Sequence, residues 1–458
     1  MGYVLSRTPR LDFGSGSFSH IPSLIAEYRT VSQAQTGSDP VLAILVRGGS
    51  SFLSSPQHTF LLDAFKTAGL GVMEFACTGE PSPAFVDGSV LEALHALDGR
   101  SASQAMVISV GGGSAMDAGK ALAAMLPLAS TGRESGHEAG RVSGCGAGHE
   151  VERKAGQSRF SVTEYLEGVG TKIPPGASCF HIAVPTTAGT GSEATKNAVI
   201  SQVGEQGFKK SLRHEGYVPS IAVVDGDLAL SCPRSVTAAS GLDALTQLLE
   251  AWFSPLASAL TTAWCETGVA HFARSFTQVL SDPGNREARS GMALASYLSG
   301  VGLANAGLGS VHALASPVGG RFPVPHGVVC GLLLEPAMRL NASLLADMAA
   351  TGNSQGETAQ KVLAKMARAG EILGAAHPGA AVLGAAIPAV APVVKGLDLA
   401  ATLLDLLASY TEIARLPRMG GWGVKSEDLD ALAAKASTKT NPVPLTPADY
   451  RELLSQVL

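Results

Sequence analysis

The chain has 458 residues, 46% of them hydrophobic, with 33 basic and 38 acidic side chains and a formal net charge of -5. That length exceeds one core of ordinary size, and two domains are the natural division. The mild acidity leaves no electrostatic footprint for nucleic acid or an anionic membrane surface, so the expected partner is a small molecule.

The N-terminal stretch MGYVLSRTPRLDFGSGSFSH lacks the apolar run of about 7–15 residues behind a basic start that marks a secretory signal. No charge-free run of about 18 residues predicts a bilayer span. Cys77, Cys145, Cys179, Cys232, Cys265 and Cys330 are widely and irregularly spaced with no CxxC pair, and read as scattered thiols of a reducing compartment. A cytoplasmic protein is expected.

In chain order, strand-like runs at 41–49, 71–77, 105–113 and 179–187 alternate with Gly turns and helical patterns. This rhythm predicts βαβ units and a mostly parallel sheet. The run at 41–47 ends in RGGSSF, where a dinucleotide fold senses the adenosine ribose. An acid there accepts from the ribose 2′-OH, whereas this loop offers Arg47, Gly48, Gly49, Ser50 and Ser51. NADP(H) is therefore expected in preference to NAD(H); the other reading has Arg47 solvated and the glycines only turning the chain.

The next strand runs into Gly111, Gly112, Gly113 and Ser114, with Asp117 inside the helix that follows. Glycines let backbone amides approach a pyrophosphate, and a helix N-terminus adds partial positive charge. The spacing is not GxGxxG, so the Rossmann fingerprint is absent. A third loop, PTTAGTGSEAT, groups Thr186, Thr187, Thr190 and Ser192 and suits a cofactor's phosphates, ribose or carboxamide, although a capped Ser/Thr turn has the same composition.

Residues 127–158 are rich in Gly, Ser and charge without periodicity and predict a flexible surface insertion; 375–396 is a second soft stretch. An α/β dinucleotide-binding domain is thus expected over 1–228. After it, Ala/Leu-rich segments with a period near 3.6 predict an all-α domain over 229–458. Within it, Asp243 and Gln247 share a helix face, and His312 and His326 follow. A carboxylate and two imidazoles make a divalent site for Zn²⁺ or Fe²⁺ with room for a substrate oxygen.

The stretches FGSG, GGGSAMD, PTTAGTGSE, VVDGDL, SGLDAL, the His312 to His326 block and NPVPLTPADY, in that order, resemble the iron-containing (group III) alcohol dehydrogenase family. The resemblance implies a dehydroquinate synthase-like fold with the active site in the cleft between an α/β and a helical domain. It also implies an Asp and three His around the metal, carried here by Asp243, His312 and His326 with Gln247 in place of one His. Ser316 stands where many members carry a further His for proton transfer. The expected function is NAD(P)-dependent, metal-assisted interconversion of an alcohol with an aldehyde or ketone, running reductively with NADPH in a homodimer. Asp243, His312 and His326 would be both ligands and catalytic residues. The alternatives are a metal-independent maleylacetate reductase-like enzyme acting on a dicarboxylate, a lyase of dehydroquinate-synthase type, for which Arg321 is a candidate anion contact, and a binding or scaffold protein without turnover.

Overall fold

The computed structural model describes residues 2–134, 160–376, 396–438 and 440–458. Its first half is built on β1 (Arg10–Phe13), β2 (Leu42–Arg47), β3 (Gly71–Ala76), β4 (Ala105–Gly111), β5 (Phe180–Pro185) and, after a β6 (Asn197–Gln202) to β7 (Phe208–Arg213) hairpin, β8 (Ile221–Val224). Six strands form a parallel sheet in the order β1-β8-β5-β4-β2-β3; β6 and β7 pair antiparallel apart from it. The four expected runs became β2 to β5. The short β1, β6, β7 and β8 were not expected.

The sheet is covered on both sides. Ala105 and Val107 of β4 join one apolar cluster, whereas Met106, Ile108 and Val110 join another. Alternate residues of a strand point to opposite faces, which explains why a doubly covered strand reads as a continuous hydrophobic run. Helices α1 (Ile21–Thr36), α2 (Ser50–Leu53), α3 (Pro56–Thr67), α4 (Pro83–Leu97) and α5 (Gly113–Glu134) connect the early strands.

Successive connections carry the chain from β2 outward to β3 and then back across β2 to β4. The carboxyl ends of β2 and β4 thus form the switch point at which an open α/β sheet opens a ligand crevice. There Gly48 N–H donates to Val110 O at 2.9 Å, and Thr186 N–H donates to Gly111 O at 2.8 Å. The three loops read from the sequence therefore meet at one edge of the sheet.

The second half is helical: α6 (Arg234–Phe253), α7 (Ala259–Ser281), α8 (Arg286–Ala306), α9 (Ser310–Arg321), α10 (His326–Ala349), α11 (Ser354–Ala376), and further helices at Gly396–Ala414, Leu429–Ala433 and Pro447–Gln456. α6 lies at its centre, with almost every residue from Thr237 onward buried. Among the described residues α10 is long and apolar enough to cross a membrane, and 61% of that window is buried within the fold.

Residues 127–134 of the expected insertion are helical instead, because α5 continues through Pro127 to Glu134. Proline costs a helix the hydrogen bond to the carbonyl four residues back. Here that carbonyl, Ala123 O, instead accepts from Cys179 N–H at 2.8 Å, so the helix persists. The remainder of 127–158, and 377–395 of the second soft stretch, lie outside the described residues.

Candidate active site

Asp243, Gln247 and Glu250 occupy one stripe of α6, spaced so that they fall on a common face. All three are buried. Burying a carboxylate costs several kcal/mol, of order 3–5, unless partners compensate, so two on one helix demand an explanation in the chemistry they face.

The partners come from α9 and α10. His312 is the third residue of α9 and His326 opens α10. Both imidazoles therefore sit in a first helical turn, where free backbone amides disfavour a protonated ring. Burial works the same way on His312, but Cys330, Asp243 and Glu250 around it outweigh both and hold it well above the usual imidazole range. Cys330, one turn after His326, shares its face of α10. One donor atom from each of Asp243, His312, His326 and Cys330 falls in a group whose members all lie within 4.8 Å of one another.

His312 Nε2 lies 3.3 Å from Asp243 Oδ1, and His326 Nε2 lies 3.9 Å from the same oxygen. Cys330 Sγ is 3.7 Å from His312 Nε2 and 3.6 Å from His326 Nε2. Glu250 Oε1 accepts from Val311 N–H at 2.7 Å, and its Oε2 pairs with His312 Nδ1 at 2.7 Å. That carboxylate fixes the ring so that Nε2 faces the cluster, the arrangement metal-ligating histidines use.

Asp243 Oδ1 is buried without a hydrogen-bond donor among the described residues. Burial would raise its carboxyl, but His326, followed by His312, holds it well below the usual carboxylate range. Burial, reinforced by the charge of Lys209, pushes His326 down to about 4. An ionised carboxylate and a neutral imidazole converging on one point fit a divalent cation.

Gln247 Oε1 and Gly189 O lie 3.2 and 3.4 Å from Ser299 Oγ of α8, whose single proton has its shortest acceptor in Ser296 O at 2.7 Å. Ser299 thus stands between the cluster helix and the 186–192 loop. Ser316 is solvent-exposed on α9. Arg321 pairs with Asp428 at 2.6 Å, which occupies the cation that a phosphate-bearing substrate would need.

The three loops interlock. A Cβ on Gly113 would lie 2.7 Å from Thr190 Cγ2, one on Gly112 3.3 Å from Thr187 Oγ1, and one on Gly111 2.9 Å from Gly48 N. Any side chain at Gly111 closes the gap between the ends of β2 and β4. Asp117 accepts from Ser192 Oγ at 2.5 Å and pairs with buried Lys120 at 3.2 Å, bracing α5 against the 186–192 loop. Gly49, Ser50 and Ser51 are exposed, and Ser114 is half-buried.

Arg47, at the end of β2, donates through Nε to Glu74 of β3, whose other oxygen lies 2.9 Å from His58 Nε2. No local pattern signals this acid beside Arg47, because strand pairing rather than chain order brings it there.

Cys330 and Glu250 are the site residues that the sequence reading missed. Their signals were the His326-x3-Cys330 spacing and the polar stripe Asp243, Gln247, Glu250 on a helix whose residues from Gly241 onward are otherwise apolar except for Thr246.

Two family descriptions match the chain: iron-containing alcohol dehydrogenase over residues 9–226, and the Fe-containing alcohol dehydrogenase family, C-terminal part, over 237–458. Alcohol dehydrogenase 4 of Saccharomyces cerevisiae is 31% identical over 345 residues, spanning 74% of this chain and 72% of its own. The 1-propanol dehydrogenase of Salmonella typhimurium is 33% identical over 279 residues, 60% of this chain and 69% of its own. A crystal structure of a 1,3-propanediol oxidoreductase superposes over 100% of both chains with a TM-score of 0.73 at 24% identity, a likeness of fold.

Proposed function

Because the chain belongs to the iron-containing alcohol dehydrogenase family, and is thereby an alcohol dehydrogenase or aldehyde reductase, we propose that it reduces a small aldehyde or ketone with NADPH at a divalent metal centre on α6, α9 and α10. The observation that carries this reading is the convergence of Asp243, His312 and His326 on one buried point, with an unpartnered Asp243 oxygen among them. Asp243, His312 and His326 hold the cation, Fe²⁺ or Zn²⁺, and Gln247 positions α6 against Ser299. When bound, the cation supplies Lewis acidity toward the substrate oxygen and the nicotinamide supplies the hydride.

The chain's own residues do the placing. Glu250 keeps His312 in the tautomer that presents Nε2. Gly111, Gly112, Gly113 and Ser114 offer backbone amides at the start of α5 for the pyrophosphate, while Thr186, Thr187, Thr190 and Ser192 orient the remainder of the cofactor toward α6. The preference for NADP(H) over NAD(H) rests on the loop from Arg47 to Ser51, which contains two glycines, two serines and no carboxylate. Glu74, the nearby acid, has its charge taken up by Arg47 and His58.

The 1-propanol in the name of the Salmonella relative indicates the substrate class. An NADPH-oxidation screen over short aldehydes, 2-oxo acids and hydroxy ketones, with Zn²⁺, Fe²⁺ or chelator present, tests the reading. Turnover of an aldehyde or hydroxy ketone that depends on added metal is expected. Activity confined to a dicarboxylate and indifferent to chelator would replace this reading with the maleylacetate reductase type.

A further inference from the structure

Three convergent ligands leave a tetrahedral shell one donor short, and Gln247, which the family resemblance puts in place of one histidine, has its oxygen 3.2 Å from Ser299 Oγ. Cys330 sits at the vacant corner. It is buried, one turn from His326 on the same helix, and its Sγ faces the Nε2 atoms of both histidines. Other cysteines do otherwise: Cys77 donates to Gly79 O and Cys179 to Ala102 O.

The spacing of the donors has the scale of a coordination shell. A tetrahedral zinc at about 2.3 Å from sulfur and about 2.05 Å from nitrogen or oxygen separates sulfur from nitrogen by about 3.6 Å, and nitrogen from oxygen by about 3.3 Å. The sulfur-to-nitrogen distances here are 3.7 and 3.6 Å. The nitrogen-to-oxygen distance from His312 to Asp243 is 3.3 Å. Of these four separations, the one between His326 and Asp243, at 3.9 Å, is the longest.

Resting on the reading above that this cluster holds a divalent cation, we propose that Cys330 is its fourth protein ligand, bound as thiolate, so that the centre is an Asp-His-His-Cys site suited to Zn²⁺ rather than Fe²⁺, to which a substrate oxygen would add as a fifth donor. Metal uptake breaks the S–H bond, forms a sulfur–metal bond and releases the proton to solvent, with no change in oxidation state. A soft thiolate in place of an imidazole raises affinity for zinc more than for ferrous iron. Cys330 thereby compensates for the imidazole lost at position 247.

Cobalt(II) loading of chelator-stripped full-length protein tests this without reference to turnover, because a cobalt–thiolate bond gives an intense near-ultraviolet charge-transfer band that oxygen and nitrogen ligands do not. The expected result is stoichiometric cobalt uptake with that band in the wild type and in Cys232→Ser, and loss of the band in Cys330→Ser and Cys330→Ala. The ratio of Zn²⁺ to Fe²⁺ affinity should also fall at least about tenfold in Cys330→Ser. Stoichiometric cobalt binding with visible bands but no thiolate band overturns the role of Cys330 and leaves the cation site standing. Failure of the wild type to take up cobalt or zinc overturns both. An unchanged metal ratio in Cys330→Ser, with the band lost, overturns the zinc preference.

Discussion

Glu250 Oε2 lies 2.7 Å from His312 Nδ1, so a buried carboxylate two turns beyond Asp243 on α6 sets the ring that faces the cluster. In Glu250→Gln this charge-assisted contact becomes a neutral one that also tolerates the flipped tautomer. Metal affinity, measured by competition with a chromophoric chelator, should fall about 10–100-fold. Unchanged affinity would assign Glu250 a purely structural role.

The proposed preference for NADP(H) rests on the end of β2. A Cβ at Gly48 would meet Gly111 Cα at 3.5 Å, an ordinary contact, so Gly48→Asp fits sterically. The new carboxylate repels a 2′-phosphate and accepts from a 2′-OH. The ratio of kcat/KM for NADPH to that for NADH should drop at least about tenfold, roughly the effect of 1.4 kcal/mol. A variant that keeps its preference for NADPH places discrimination elsewhere.

Gly191 joins the 186–192 loop to the helical half. Its φ is +57°, and a Cβ there would lie 2.4 Å from Ser296 O and 2.5 Å from Gly300 N on α8. Neither obstacle is a side chain that can turn away. Gly191→Ala should cost roughly 3 kcal/mol of stability and raise the KM for NADPH, because the strained backbone and the clash act together. Wild-type thermal unfolding and KM would show that the loop is not clamped as described.

His181 supplies a dependence on pH away from the metal cluster. It is buried in β5 with Nε2 2.8 Å from Ser109 Oγ, and burial, then the charge of Lys120, pushes it down to about 3. The unfolded chain's histidine titrates near about 6.5. Above that pH both states are neutral and the full stability is present. As pH falls below it toward 3, the unfolded chain binds a proton that the fold refuses, and stability declines. His181→Gln should flatten the decline in denaturant-unfolding free energy across this window. Parallel curves for variant and wild type would remove His181 as its source.

The parallel sheet was legible because strands covered on both sides read as unbroken apolar runs, as in 105–113. The short β1 and β8 were not, since four residues carry too little pattern. Asp243, His312 and His326 stood out by residue type. Cys330 did not, because a cysteine within VVCGLLL reads as one more small hydrophobe, and only helical spacing from His326 places it on the cluster. Glu250 was hidden for the opposite reason: a glutamate in a helix reads as solvated until the helix is known to be central. The pairing of Arg47 with Glu74 depends on strand order, and the persistence of α5 through Pro127 depends on a hydrogen bond from Cys179; no local pattern carries either.

The central claim is that reduction by NADPH runs at a cation held by Asp243, His312 and His326. It is tested most directly by stripping the protein with chelator, removing the chelator, and following NADPH oxidation on its best aldehyde before and after adding back one equivalent of Zn²⁺ or Fe²⁺, with Asp243→Ala alongside. The account predicts that activity falls by at least about 100-fold on stripping, returns with one equivalent of metal, and does not return in Asp243→Ala, as expected where the metal provides the Lewis acid. Full activity in the metal-free wild type would contradict it.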